Sequence, residues 1–150
     1  MLKKISLLIL ALSLSTRLPA QPSLTKDQQK VQQAVINFFE SLSNRDSVSL
    51  KRYTTTDITL IEYGQLWTLD TLIRRAIKLN TAADFKRVNS LAFIQTATHK
   101  NIAWATYHLH SEVTRAGKQV STHWLESVIL VRERKNWRLK TLHSTLIKRS

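Results

Sequence analysis

The 150-residue sequence has no cysteine, two glycines, two prolines and ten acidic residues. Each scarcity excludes something. Without cysteine there are no disulfides, thiolate metal sites or thiol redox chemistry, so burial alone must stabilise the fold. With Gly64 and Gly117 as the only glycines, no glycine-rich loop can cradle a nucleotide phosphate. The longest apolar run, residues 5–14, is half the roughly 20 residues that a membrane-spanning helix needs.

What is present at the start has a different order. Lys3 and Lys4 precede the apolar run, and a polar segment ending Leu18-Pro19-Ala20 follows it. This is the basic, apolar and small-residue sequence of a secretory signal. Residues 1–20 are therefore expected to be a signal peptide removed after Ala20, and residues 21–150 a single domain. No cysteine follows the run to take a lipid. The expected destination is secreted or periplasmic, with no stable membrane anchor after cleavage. About 130 residues suit one hydrophobic core.

Lys3, Lys4 and Arg17 account for three of 23 basic residues, so the expected mature chain carries 20 against ten acidic ones. Such a surplus suits an anionic partner or simply a soluble basic surface. The charges are scattered, as in Lys51-Arg52, Arg74-Arg75, Lys86-Arg87, Arg132-Arg134-Lys135 and Lys148-Arg149. No glycine and aromatic pattern interleaves them in the way of RNA-binding modules, and no nucleic-acid partner is expected.

Val31, Ala34, Val35, Phe38, Phe39 and Leu42 recur at three- and four-residue spacing, predicting a first helix capped by Thr25 or Ser23. Residues 46–53 read as a short second helix. In residues 57–67, β-branched and aromatic residues flank Gly64, predicting a strand and small hairpin. Thr68 or Asp70 then caps a helix through Leu79. From residue 84 the period becomes two, in segments 85–96, 101–114, 119–134 and 137–148. Their short connections, Thr98-His99-Lys100, Ala116-Gly117 and Lys135-Asn136, predict consecutive antiparallel hairpins.

The ending Glu126-Ser127-Val128-Ile129-Leu130-Val131, a turn, and Asn136-Trp137-Arg138-Leu139-Lys140-Thr141-Leu142-His143-Ser144-Thr145 resembles that of SnoaL-like proteins of the nuclear transport factor 2-like superfamily. Ile102-Ala103-Trp104-Ala105-Thr106-Tyr107 resembles their fourth strand, and Phe38-Phe39 fits their first helix. The resemblance covers nearly all of the expected mature chain. It implies an α+β cone: a strongly bent antiparallel sheet of about six strands wrapped around three N-terminal helices. It specifies fold and not chemistry, because the superfamily spans several reactions and many binders.

If Ala116-Gly117 is a two-residue turn, residues whose numbers sum to 233 face each other across that hairpin. Ala103, Ala105, Tyr107, Leu109, Trp124, Glu126, Val128 and Leu130 then share one face. Ile102, Trp104, Thr106, His108, His110, His123, Leu125, Ser127, Ile129 and Val131 share the other. Both faces are largely apolar, so both should be covered. In this architecture that implies a cavity on the concave side and a homodimer through the convex side. The small Ala103 and Ala105 favour their face as the concave one.

Glu126 is then expected among Tyr107, Trp124 and Val128, where burial would raise its pKa and suit it to acid or base work. A structural role, paired with an arginine or bonded to Tyr107, is the alternative. A two-residue Lys135-Asn136 turn sets His143 beside Val128 as a partner of Glu126, and a three-residue turn sends it to the opposite face. Tyr53, Tyr63 and Trp67 come from segments that close the cone's mouth in this superfamily. With Trp124 and Val128 they are the expected ligand-binding residues, although aromatics also serve as plain core. His108, His110 and His123 share a face and form the nearest approach to a zinc set. No carboxylate joins them there, so no metal is expected. Nor is a cofactor. The function read from the sequence is an exported binder of a small, partly apolar molecule. Its alternative is a cofactor-independent isomerase or lyase using Glu126 with His143 or Tyr107.

Overall fold

Thr25 opens the first helix with a reciprocal cap: its hydroxyl accepts from the Gln28 amide, and Gln28 Oε1 accepts from the Thr25 amide. The helix, α1 (Lys26–Ser43), buries Val31, Ala34, Val35, Phe38, Phe39 and Leu42 on one face. Asp46 caps α2 (Ser47–Tyr53) by accepting from the Val48 and Ser49 amides. The computed structural model describes residues 23–150; the expected signal peptide, residues 1–20, lies outside the described residues. No helix among the described residues is long and apolar enough to cross a membrane.

The chain continues through β1 (Thr54–Glu62), β2 (Gln65–Trp67) and α3 (Leu69–Leu72), which runs on as a π-helical segment, Ile73–Lys78. A long meander follows: β3 (Lys86–His99), β4 (Ile102–Arg115), β5 (Lys118–Glu133) and β6 (Asn136–Arg149). These form one six-stranded sheet in the order β2-β1-β6-β5-β4-β3. The sheet curls around the helices as the α+β cone expected. It departs from the expected antiparallel sheet at one seam, because β1 pairs with β6 in parallel.

The β4–β5 register pairs Tyr107 with Glu126 and Ala105 with Val128, as a two-residue Ala116-Gly117 turn requires. Both turn residues have positive φ, 51° and 69°, the geometry that suits a hairpin's right-handed twist. Asp84 holds this turn from outside. Its Oδ1 accepts from the Ala116 amide at 2.8 Å and its Oδ2 from the Gly117 amide at 2.7 Å. The other two meander turns are displaced from expectation. Lys100-Asn101 and Arg134-Lys135 occupy them, with His99 paired to Ile102 and Glu133 to Asn136.

The β5–β6 pair also changes register. Leu130 faces Leu139 but Ile129 faces Thr141, so Lys140 is an extra residue on β6. A bulge reverses which side chains point inward beyond it. Leu139 and Leu142, three apart rather than two or four, both enter the core. That core fills the cone with Phe38, Leu50, Leu60, Tyr107, Leu109, Leu130, Leu139 and Leu142.

Asp84 is held below the ordinary carboxylate range by the Gly117 and Ala116 amides. Its folded pKa is depressed, so its contribution is in place above the unfolded pKa and lost as pH falls through the folded one. Replacing it, as in Asp84→Ala, is expected to speed hydrogen exchange at the Ala116 and Gly117 amides at neutral pH. Unchanged protection of those two amides would contradict the clamp.

Candidate functional site

Alternation along three strands and the β6 bulge bring polar groups together inside the cone. On β1, Ile58, Leu60 and Glu62 take every second position, and the first two are buried. On β5, Trp124, Glu126, Val128 and Leu130 are buried in turn. On β6, the bulge turns Ser144 inward, where it pairs across both seams: with Glu62 on β1 and with Glu126 on β5. Ser144 is thus set between two carboxylates.

The distances are equal. Ser144 Oγ lies 3.0 Å from Glu62 Oε1 and 3.0 Å from Glu126 Oε1. A hydroxyl has one proton to donate. If Ser144 donates to one carboxylate, its other contact is a hydrogen bond only when the second carboxyl is protonated and donates to Ser144. A proton on either carboxyl would complete both hydrogen bonds. Burial pushes Glu126 up to about 7, assisted by the Glu62 charge and opposed by the Tyr107 and Ser144 hydroxyls and by Arg87. Burial also raises Glu62, opposed by Ser144 and then Arg87.

Arg87 reaches the same space from β3. Its Nε donates to Asn89 Oδ1 at 2.9 Å and its Nη2 to Ser111 Oγ at 3.3 Å, while its guanidinium lies 5.9 Å from the centre of the Phe39 ring. Asn89 is itself fixed, donating to Ser43 Oγ at 2.8 Å and accepting from Ser111 at 2.6 Å. Burial lowers the pKa of Arg87, and the Glu126 and Glu62 charges oppose that shift. No carboxylate lies within salt-bridge distance of Arg87 among the described residues. Arg87 and the two glutamates line the same cavity, so its positive charge acts on theirs without a direct bond.

That cavity measures about 140 Å³ and is walled by Phe38, Phe39, Leu60, Leu72, Leu109 and Leu142. Trp67, Ala76, Trp124, Glu62, Arg87 and Glu126 complete the lining with Leu42. A dry cavity of about 150 Å³ takes a molecule the size of benzene. At its wall Glu126 Oε2 has no partner within hydrogen-bond distance, and the fully buried Tyr107 hydroxyl acts on Glu126 from behind the lining residues. Tyr107 stands directly across the ladder from Glu126. Burial first, and then the Glu126 charge, pushes its phenol well above the ordinary tyrosine value. It stays protonated and can donate.

Trp67 and Trp124 line the cavity. Tyr63 packs edge-on against Trp124 with ring centres 5.3 Å apart, and its exposed hydroxyl accepts from Arg149. Val128 is buried in the core and is not among the lining residues. Tyr53 lines a different groove, between the helices and the start of β6. His143 is the clear correction. It pairs with Ser127 and lies exposed on the face opposite Glu126, because the turn and the bulge at Lys140 together alter the register by an odd number. Ser144 occupies the inward place instead.

The three histidines do share the convex face, yet they satisfy one another rather than converge on a point. His123 Nε2 and His108 Nδ1 are 2.9 Å apart in a hydrogen bond, and His110 stacks on His123 at 4.0 Å between ring centres. Burial and then the two neighbouring imidazoles lower the pKa of His123. No three such ligands assemble among the described residues.

Glu62, Arg87 and Ser144 were not singled out by the sequence. Glu62 had a usable signal, since Ile58 and Leu60 precede it at the inward period. Arg87 was one of many scattered cations, and Ser144 depends on a bulge that no local residue announces.

No family model matches the sequence, and no curated protein matches it. Solved structures do. A conserved protein from Planctomyces limnophilus matches with a TM-score of 0.73 at 16% identity, covering 81% of this chain and 98% of its own. A nuclear transport factor 2-like superfamily protein from Salmonella enterica gives 0.68 at 16%, covering 79% and 89%. A ketosteroid isomerase-like protein from Erwinia carotovora gives 0.64 at 14%, covering 83% and 99%. At these identities the likeness concerns the backbone alone.

A carboxyl whose folded pKa is raised stabilises the protein below its unfolded pKa, and that contribution is lost as pH rises through the folded pKa. For Glu126 the window runs from 4.5 to about 7, corresponding to about 3 kcal/mol. The urea midpoint is expected to fall between pH 5 and pH 7.5, and Glu126→Gln is expected to flatten that fall. An equal slope in both proteins would show that Glu126 titrates normally.

Proposed function

We propose that this chain, which has the nuclear transport factor 2-like cone fold, is an exported protein that binds a small, largely apolar molecule in the concave cavity and exchanges a proton with it through Glu126. The observation that carries this reading is the single Ser144 hydroxyl between the buried Glu126 carboxyl and the half-buried Glu62 carboxyl, at 3.0 Å each. Two acidic groups that share a proton supply both an acid and a base near neutral pH. Tyr107 supplies a neutral donor for an oxygen that gains charge. Arg87 offsets the negative charge left on the pair without being bonded to it. The apolar wall favours a compact, uncharged ligand, and Glu126 Oε2 gives it a polar contact.

Reaction type follows from these groups. Proton removal beside a carbonyl or a leaving group needs a base and a donor, and it needs no cofactor. Isomerisation and elimination both fit. The second reading, binding without reaction, is favoured by the exposed position of His143, which removes the imidazole from the expected catalytic set.

The two readings separate in heavy water. Ligands captured from a small-molecule library are identified by native mass spectrometry, with Ala76→Trp as the filled-cavity control. A captured ligand is expected to gain deuterium in the presence of the wild-type protein, and Glu126→Gln to slow this at least about 100-fold. Binding that persists in Ala76→Trp would place the ligand outside the cavity. Binding without exchange would leave only the second reading.

We also propose that the chain is a homodimer through the convex face. Ile102, Trp104 and Ile129 are exposed there on adjacent strands, with Trp104 paired to Ile129. Such an apolar sheet face is ordinarily covered. Sedimentation at micromolar concentration is expected to show a dimer, and Trp104→Arg a monomer. A wild-type monomer would count against the proposal.

A further inference from the structure

A groove of about 490 Å³ lies between the helices and the β5–β6 turn and shares no lining residue with the concave cavity. One stripe of α1 forms its floor: Lys30, Gln33, Ala34 and Asn37, at helical spacing of three and four. Arg52 and Tyr53 enter from the end of α2. Lys135, Asn136, Trp137 and Arg138 enter from the turn and the start of β6. Four cationic side chains thus line one groove, and no acidic side chain does.

The rest of the surface does not neutralise them. Arg138 pairs with Glu133 at 3.1 Å, but Lys30, Arg52 and Lys135 have no carboxylate partner among the described residues. Residues 1–22 contain no Asp or Glu either. Of the nearby acids, Asp27 pairs with Arg132, and Asp46 caps α2 and acts on Arg52 only through space. Like charges brought to one concave place without a counter-charge repel one another, and low-dielectric walls concentrate their field. The wall also carries Tyr53, and behind it Trp137, covered on one side by Arg132 at 4.4 Å from the ring centre. These fixed aromatic and alkyl surfaces give the groove a rigid apolar side.

We infer that this groove is a second binding site, for a small organic oxyanion bearing two or more negative charges. Three cations lining one groove without a bonded carboxylate require more than one charge to balance them. Arginine forks and lysine ammonium groups take phosphate and carboxylate oxygens alike. The volume lies within the roughly 300–1,000 Å³ typical of small-molecule sites. A concave, bounded groove fits a discrete molecule better than an extended polymer, which tracks along a stripe of charge.

Pyrophosphate and citrate, titrated separately into the ¹⁵N-labelled full chain at low salt, distinguish phosphate from carboxylate ligands. Either is expected to shift amide signals of residues 30–37, 52–53 and 135–138, and added salt to weaken the effect. The exposed double variant Arg52→Gln/Lys135→Gln is expected to bind at least about tenfold more weakly. Arg115→Gln/Lys118→Gln removes two charges at the opposite turn and is expected to leave binding unchanged. Equal weakening by both double variants would reduce the effect to the protein's overall charge and overturn the site. So would shifts spread over the whole basic surface, no binding of either anion, or binding to anionic vesicles alone.

Discussion

Ser144 Oγ stands 3.0 Å from each of two carboxyl groups inside the cone, and it has one proton to give. Much else in the interior follows from that arithmetic. Two ionised carboxylates so close, behind leucine and phenylalanine walls, would be costly to bury. One retained proton relieves the repulsion, completes the hydrogen bonds of Ser144, and leaves a single charge for Arg87 to oppose. Arg87 is held by Asn89 and Ser111 rather than by either glutamate, so its charge is supplied without closing the space between them.

The fold supplies that separation through its backbone. β6 lies between β1 and β5, so a residue on β6 can touch side chains from both neighbours. The parallel β1–β6 seam brings Glu62 level with Ser144, and the antiparallel β5–β6 seam brings Glu126 to the same level. The helices close the other side: Phe38, Phe39 and Leu42 from α1, and Leu72 and Ala76 from α3 and its π-helical continuation. A π turn widens the helix locally and often accompanies a functional site. Here it carries the small Ala76 to the cavity wall.

Much of this was legible in the sequence, and the boundary of legibility is physical. Period-two alternation with a glycine turn fixed the β4–β5 register, and with it Tyr107 opposite Glu126. The paired alanines marked the concave side. The β5–β6 register was not legible, because Arg134-Lys135 makes the turn without glycine, and the bulge at Lys140 has no local signature. Those two features decide between His143 and Ser144 as the inward residue. The parallel seam was equally hidden, since parallel partners distant in sequence leave no turn between them. Tyr53 was misplaced for a simpler reason: it ends α2 on the side away from the cavity, where the basic groove lies. Residues of the sheet edge and helix ends that meet only in space, such as Glu62 and Arg87, had no joint pattern to read.

The cone is common to structures that share 16% or less of this sequence among those compared, so its chemistry must be decided by these side chains and not by the backbone. The central claim is that Glu62 and Glu126 hold one proton between them near neutral pH. The most direct test follows the carboxyl carbons of both residues by ¹³C NMR across pH 3 to 9 in the labelled protein. Glu126 is expected to titrate near 7, with the Glu62 signal bending over the same range because the two groups are coupled. Independent midpoints for both in the ordinary glutamate range would contradict the shared proton and the function built on it.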